Sequence, residues 1–165
     1  MRRSRVLIFL FAFLVISPAF ASAIQLGEKL QPFKQKDLNG NVIDMSTIIG
    51  KKPVMLVFWA SWCPNCKVEA PKINQLVEKY KKQGMEFIGI NIAVNDSIKR
   101  ARSFVKKTDM AYPTVFDANN AITQQYMVRG VPTILVADSN GRVQFRNYGA
   151  PDITEANFKR LMGKE

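Results

Sequence analysis

Hydrophobic positions along the chain follow two rhythms, and their alternation predicts most of the architecture. Pro53 to Trp59 is a proline followed by an unbroken apolar run, V-M-L-V-F-W. The run is too short for a helix and rich in β-branched and aromatic residues, which predicts a buried central strand. Beyond Cys63 the period changes: Val68, Ile73, Leu76, Val77 and Tyr80 recur at helical spacing, with lysines between them, until Gly84 closes the segment. Met85 to Ile92, M-E-F-I-G-I-N-I, returns to a buried strand. Strand, helix, strand in this order predicts a parallel crossover unit.

Shorter signals lie on either side of that unit. Before it, Phe33 to Asp37 and Val42 to Asp44 flank Asn39-Gly40, the signature of a small N-terminal β-hairpin. After it, Asp96 is placed to cap a basic amphipathic helix running to about Lys107, with Ile98, Ala101, Phe104 and Val105 inward. Tyr112 to Phe116 is expected as a short strand, Asn119 to Tyr126 as a short helix and Thr133 to Ala137 as a strand. Asn140-Gly141 predicts a tight turn that pairs this strand with Val143 to Tyr148. Asp152 and Glu155 have capping-box spacing for a last helix to about Met162, ended by Gly163. The expected fold class is α/β, with a mixed central sheet flanked by helices.

The start of the chain follows a different logic. Arg2, Arg3 and Arg5 precede an eleven-residue apolar run, Val6 to Ile16, followed by Ser17-Pro18 and then Ala21-Ser22-Ala23. A basic region, a short apolar region and a small-residue cleavage site together read as a signal peptide over residues 1–23. A spanning helix needs about 20 apolar residues without a break. Cleavage after Ala23 is the expectation, with an uncleaved N-terminal anchor as the alternative. Residues 24–32 then form a linker and 33–165 one globular domain, exported to the periplasm or cell envelope, where disulfides persist. No cysteine follows the apolar run, so lipid attachment at that point has no acceptor.

Charge narrows the partners. The chain carries 24 Lys plus Arg against 13 Asp plus Glu, a net +11 that remains +8 without the three leader arginines. Such an excess suits anionic surfaces or acidic partners, or simply a solvated basic surface. It carries no nucleic-acid motif, and no nucleic-acid partner is expected.

The chemistry-bearing stretch is F-W-A-S-W-C-P-N-C-K, Phe58 to Lys67, which contains both cysteines of the chain. The spacing alone allows a redox pair, part of a metal site or a local staple. Structural zinc takes four protein ligands, and two cysteines with no histidine fall short. Two thiolates still suit Cu(I). A staple of this span closes too small a loop to constrain the unfolded chain much. As a redox pair, Cys63 sits where the strand meets the helix, beside free backbone N–H groups and the positive end of the helix dipole. Such settings lower thiol pKa values from about 8.5 to between about 3.5 and 7.5. Lys67 adds a positive charge. Cys63 is thereby expected as an exposed, ionised nucleophile, with Cys66 one turn inward as the resolving thiol.

With W-C-P-N-C-K stand Pro71, five residues after Cys66, and R-G-V-P-T, Arg129 to Thr133. Together these motifs resemble the thioredoxin fold, and the leader with the segment between Asn95 and Asn119 is similar to the TlpA/ResA branch of envelope thiol-disulfide oxidoreductases. The resemblance spans about Phe33 to Met162. It implies a thioredoxin-like fold with a β/α insert before a cis-proline at Pro132, facing the cysteine pair. It also implies that the Val131 backbone is free to pair with a substrate strand. Glu69, at C-K-x-E-x-P spacing, matches the glutamate that lies near the active site of ResA-like proteins and influences the thiols. A carboxylate there would take a proton from Cys66 as a mixed disulfide resolves. Thioredoxin's buried aspartate is replaced by Val57. Trp59 is expected in the core and Trp62 in a docking platform for partners.

The implied activity is reduction of disulfides in exported proteins, with apocytochrome c as a client class, and a membrane or envelope electron donor upstream. The G-V-x-G-x-P-E loop of one cytochrome-maturation subgroup is absent, since R-G-V-P-T stands there. No resident cofactor or metal is expected, and the chain is expected to be a monomer. The alternatives are net thiol oxidation and a Cu(I) metallochaperone using Cys63 and Cys66. Peroxidase chemistry on this fold requires Thr or Ser three residues before the reactive cysteine, and Ala60 occupies that place.

Overall fold

The computed structural model describes residues 24–163. The signal peptide or anchor expected over 1–23 lies outside the described residues. A two-stranded hairpin, β1 (Lys34–Lys36) and β2 (Val42–Asp44), precedes a five-stranded sheet. In chain order that sheet contains β3 (Val54–Trp59), β4 (Glu86–Asn91), β5 (Thr114–Phe116), β6 (Thr133–Ala137) and β7 (Val143–Asn147), with spatial order β5-β4-β3-β6-β7. Helix α1 (Pro64–Tyr80) crosses from β3 to β4, which are parallel; α2 (Ile98–Lys107) precedes β5 and α3 (Ala121–Gln125) follows it; α4 (Glu155–Leu161) ends the chain. β5 is parallel to β4, while β6 and β7 are antiparallel to their neighbours. This is a thioredoxin-like α/β fold with a mixed sheet.

Every residue of β3 is buried, as its unbroken apolar run requires of a strand covered on both faces. Trp59 stacks on Phe104 of α2 at 4.6 Å, whereas Phe58, pointing the other way, packs on Tyr126 at 5.6 Å. Tyr80 joins α1 to the chain end by stacking on Phe158 at 4.3 Å and donating its hydroxyl to the Ile153 carbonyl at 2.5 Å. β3 is therefore clamped between layers, and the chain leaving its C-terminal end at Trp59 has little freedom.

Three local expectations change. Residues 24–32, expected as a linker, are docked on the β6–β7 turn: Gly27 N–H donates to Val143 O, Leu30 N–H to Gly141 O, and Ile24 and Leu30 are buried. Ser97, not Asp96, is the N-cap of α2, accepting from Arg100 N–H, because the Asp96 carboxylate is engaged elsewhere. Thr154, not Asp152, caps α4, its hydroxyl lying next to the first turn and accepting from Asn157 N–H.

Candidate active site

Strand β3 and helix α1 are joined by Ala60-Ser61-Trp62-Cys63, and this junction holds both sulfurs. Cys63 is the N-cap of α1 with extended backbone (φ −84°, ψ 110°), and its Sγ accepts from the Cys66 N–H at 3.0 Å. The sulfur thus occupies the position that a Ser or Asp oxygen takes in an ordinary cap. Pro64 follows at the first turn, where its missing N–H costs no hydrogen bond. Cys63 and Cys66 form a disulfide with Cα atoms 5.3 Å apart.

Both cysteines are 4% exposed, so the expectation of an open Cys63 sulfur is corrected: the junction folds tightly and covers it as fully as its partner. They differ in what they face. Cys63 lies on a surface groove of about 230 Å³ bounded by Trp62, Lys67, Phe104 and Lys107. Cys66 lies on an internal cavity of about 10 Å³ shared with Val57, Glu69 and Pro132. That volume is close to the size of one water molecule.

Structure thus brings Cys66, Glu69 and Pro132 together. The Val131–Pro132 peptide bond is cis, and among the described residues no backbone hydrogen bond engages Val131. Glu69, only 14% exposed at its side chain, accepts from the Ala150 N–H at 2.8 Å and from Lys72 Nζ at 2.7 Å. Burial would push its carboxyl up, but these two donors outweigh that and hold it below its ordinary value. Glu69 is consequently ionised at neutral pH, and each of its oxygens keeps accepting capacity beyond these donors. Trp62 is about half exposed, while Trp59 is 1% exposed. Pro71 lies inside α1, one turn past the pair, and leaves the Lys67 carbonyl without its usual donor.

Asp96, expected as a helix cap, has a role at the site that the sequence did not reveal. The Asp96 side chain, fully buried, accepts from Ser61 N–H and Ser61 Oγ at 2.6 Å each, from Asn91 Nδ2 at 2.9 Å and from Ser97 N–H at 2.8 Å. Trp62 Nε1 donates to the neighbouring Val94 carbonyl at 2.6 Å. The β4–α2 loop therefore holds the two residues that lead into Cys63. Asn91 was the available signal, as a polar residue ending the apolar run of β4, and it is fully buried. Among the described residues, no three His, Cys, Asp or Glu side chains converge as a metal-binding group.

Comparison with known proteins agrees with this geometry. The family model described as AhpC/TSA family matches residues 26–146. A thiol-disulfide oxidoreductase ResA of Bacillus cereus is 33% identical over 120 residues, which cover 73% of this chain and 68% of that protein. ResA of Geobacillus kaustophilus is 32% identical over 123 residues, covering 74% and 69%. The crystal structure of a secreted Mycobacterium tuberculosis disulfide oxidoreductase homologous to E. coli DsbE superposes with a TM-score of 0.66 at 26% identity, over 79% of this chain and 95% of that one.

Proposed function

As the chain belongs to the ResA/DsbE-like thiol-disulfide oxidoreductases of the thioredoxin superfamily, we propose that it reduces disulfides of exported proteins, with Cys63 as nucleophile and Cys66 as resolving thiol. The observation that carries this reading is the Cys66 N–H aimed at Cys63 Sγ at 3.0 Å, at the N-terminus of a 17-residue helix. Amides and dipole there favour a sulfur that bears negative charge.

In the reduced protein, the Cys63 thiolate attacks one sulfur of the client disulfide, and the other client sulfur leaves as a thiolate. Cys66 then attacks Cys63 Sγ in the mixed disulfide, releases the second client thiolate and leaves the Cys63–Cys66 disulfide. Two electrons have passed to the client, and an envelope dithiol donor returns them. Ionised Glu69 opposes a second negative charge on Cys66, so the charge of the reduced pair rests on Cys63. During resolution the Cys66 proton passes to Glu69 across the small shared cavity. Pro132 closes that cavity from the sheet side, Val131 offers unpaired backbone to a client strand, and Trp62 supplies an apolar platform.

The 1–23 segment supports export of this activity to the periplasm or cell envelope, and apocytochrome c, with its paired haem-site cysteines, is the client class that the ResA likeness supports. Ala60 is fully buried and brings no hydroxyl toward Cys63, which supports disulfide exchange over peroxide reduction. A Cys66→Ser variant tests the assignment: it should accumulate a client mixed disulfide on Cys63. A variant that turns over as the wild type does, or that traps nothing while Cys63→Ser remains active, overturns it.

A further inference from the structure

The groove beside Cys63 has a chemical character that the exchange reaction does not require. Its uncharged lining includes Ser61, Trp62, Phe104 and Thr108, and its charged lining groups are Lys67 from the first turns of α1 and Lys107 from the end of α2. No carboxylate lines it. Both lysines are exposed, and neither ammonium group takes part in an ion pair or hydrogen bond among the described residues. Asp109, two residues beyond Lys107, lies outside the lining. The α1 N-terminus at Cys63 and Pro64 adds its positive end to the same space. The indole N–H of Trp62 is committed to Val94, which leaves the ring as apolar surface.

We infer that this groove is a specificity subsite for clients that carry a carboxylate side chain, Asp or Glu, next to the cysteine attacked by Cys63. The occupant is an extended client segment: its disulfide sulfur meets Cys63, its backbone runs over Trp62, and the acidic side chain reaches between the two ammonium groups. Charge complementarity selects it, since an acidic flank gains two attractions and a lysine flank meets two repulsions. The subsite deepens the proposed reaction and rests on Cys63 being the attacking sulfur.

The test uses the reduced full-length mature protein and three synthetic peptides, each closed by one disulfide and identical except for Asp, Asn or Lys beside the first cysteine. The rate constant of protein oxidation by each peptide is measured. Asp should react faster than Asn and Asn faster than Lys, with about fivefold between the extremes at low ionic strength, as two exposed charge pairs supply. The spread should shrink at about 0.5 M salt, where exposed charges are screened. Lys107→Gln, which keeps most of the side-chain stem, should narrow the order, Lys107→Glu, which sets one carboxylate against Lys67, should flatten it, and the double variant Lys67→Glu/Lys107→Glu should invert it. Equal rates on all three peptides overturn the subsite alone. No reaction with any peptide, the uncharged one included, overturns disulfide reduction and the subsite together.

Discussion

Both the backbone N–H and the hydroxyl of Ser61 donate to the Asp96 carboxylate at 2.6 Å, which ties the approach to Cys63 to a loop 35 residues further along the chain. Removing that carboxylate leaves two Ser61 donors and the Asn91 amide without their acceptor in a dry site. Asp96→Ala should lose about 2–3 kcal/mol of stability. The variant should also slow the reaction of Cys63 with a small neutral disulfide, which an effect on stability alone would not do below the unfolding transition. Chemical denaturation and stopped-flow oxidation check the two parts separately.

The same carboxylate sets a pH limit. Burial works against its charge, but donors from Asn91, Ser61 and Ser97 hold it below its ordinary 3.8. A folded value below the unfolded one contributes stability in full above about pH 3.8, lost as the pH falls through the lower folded value. The stability difference between wild type and Asp96→Asn should therefore be constant from neutral pH down to that range and shrink below it. Urea midpoints across this range check the claim.

Glu69 yields a kinetic prediction. With its negative charge removed in Glu69→Gln, the Cys66 thiol should ionise at lower pH, while decay of a preformed mixed disulfide on Cys63 should slow by about tenfold or more for want of a proton acceptor. Single-turnover release of a labelled client thiol measures this. Unchanged release with an unchanged thiol titration would remove Glu69 from the mechanism.

Gly89 stands where a side chain would crowd its neighbours. A Cβ there would stand 2.5 Å from Thr114 Oγ1, 3.1 Å from Trp59 Nε1 and 3.3 Å from Tyr112 Cε2. Gly89→Ala should cost about 1–3 kcal/mol by overpacking and disturb the Trp59–Phe104 stack below the groove. Denaturation and near-ultraviolet circular dichroism report the two effects.

The sheet was legible wherever burial on both faces wrote a continuous apolar run, as in Val54–Trp59 and Thr133–Ala137, and the turns wherever Asn-Gly stood between short runs. Two helix starts were misplaced by one or two residues because Asp96 and Asp152 have the right chemistry for a cap. Only the tertiary contact to Ser61 reveals that Asp96 serves another element. The docking of 24–32 was hidden for a related reason: the segment has too few apolar positions for a period, and its order comes from pairing with Val143. At the site, the cysteine spacing and local motifs located Cys63, Cys66 and Pro132. The burial of Cys63 and the lysine-lined groove depend on how α2 lies over Trp59, which no local pattern encodes.

The central claim is that the first turn of α1 holds the Cys63 sulfur as a thiolate at neutral pH. The most direct measurement is the pH dependence of Cys63 alkylation in the fully reduced protein, with Cys66→Ser as the assignment control. The account predicts half-ionisation below about 7.5, as for thiols seated at helix N-termini. A Cys63 that titrates near the free-thiol value of about 8.5 would contradict it.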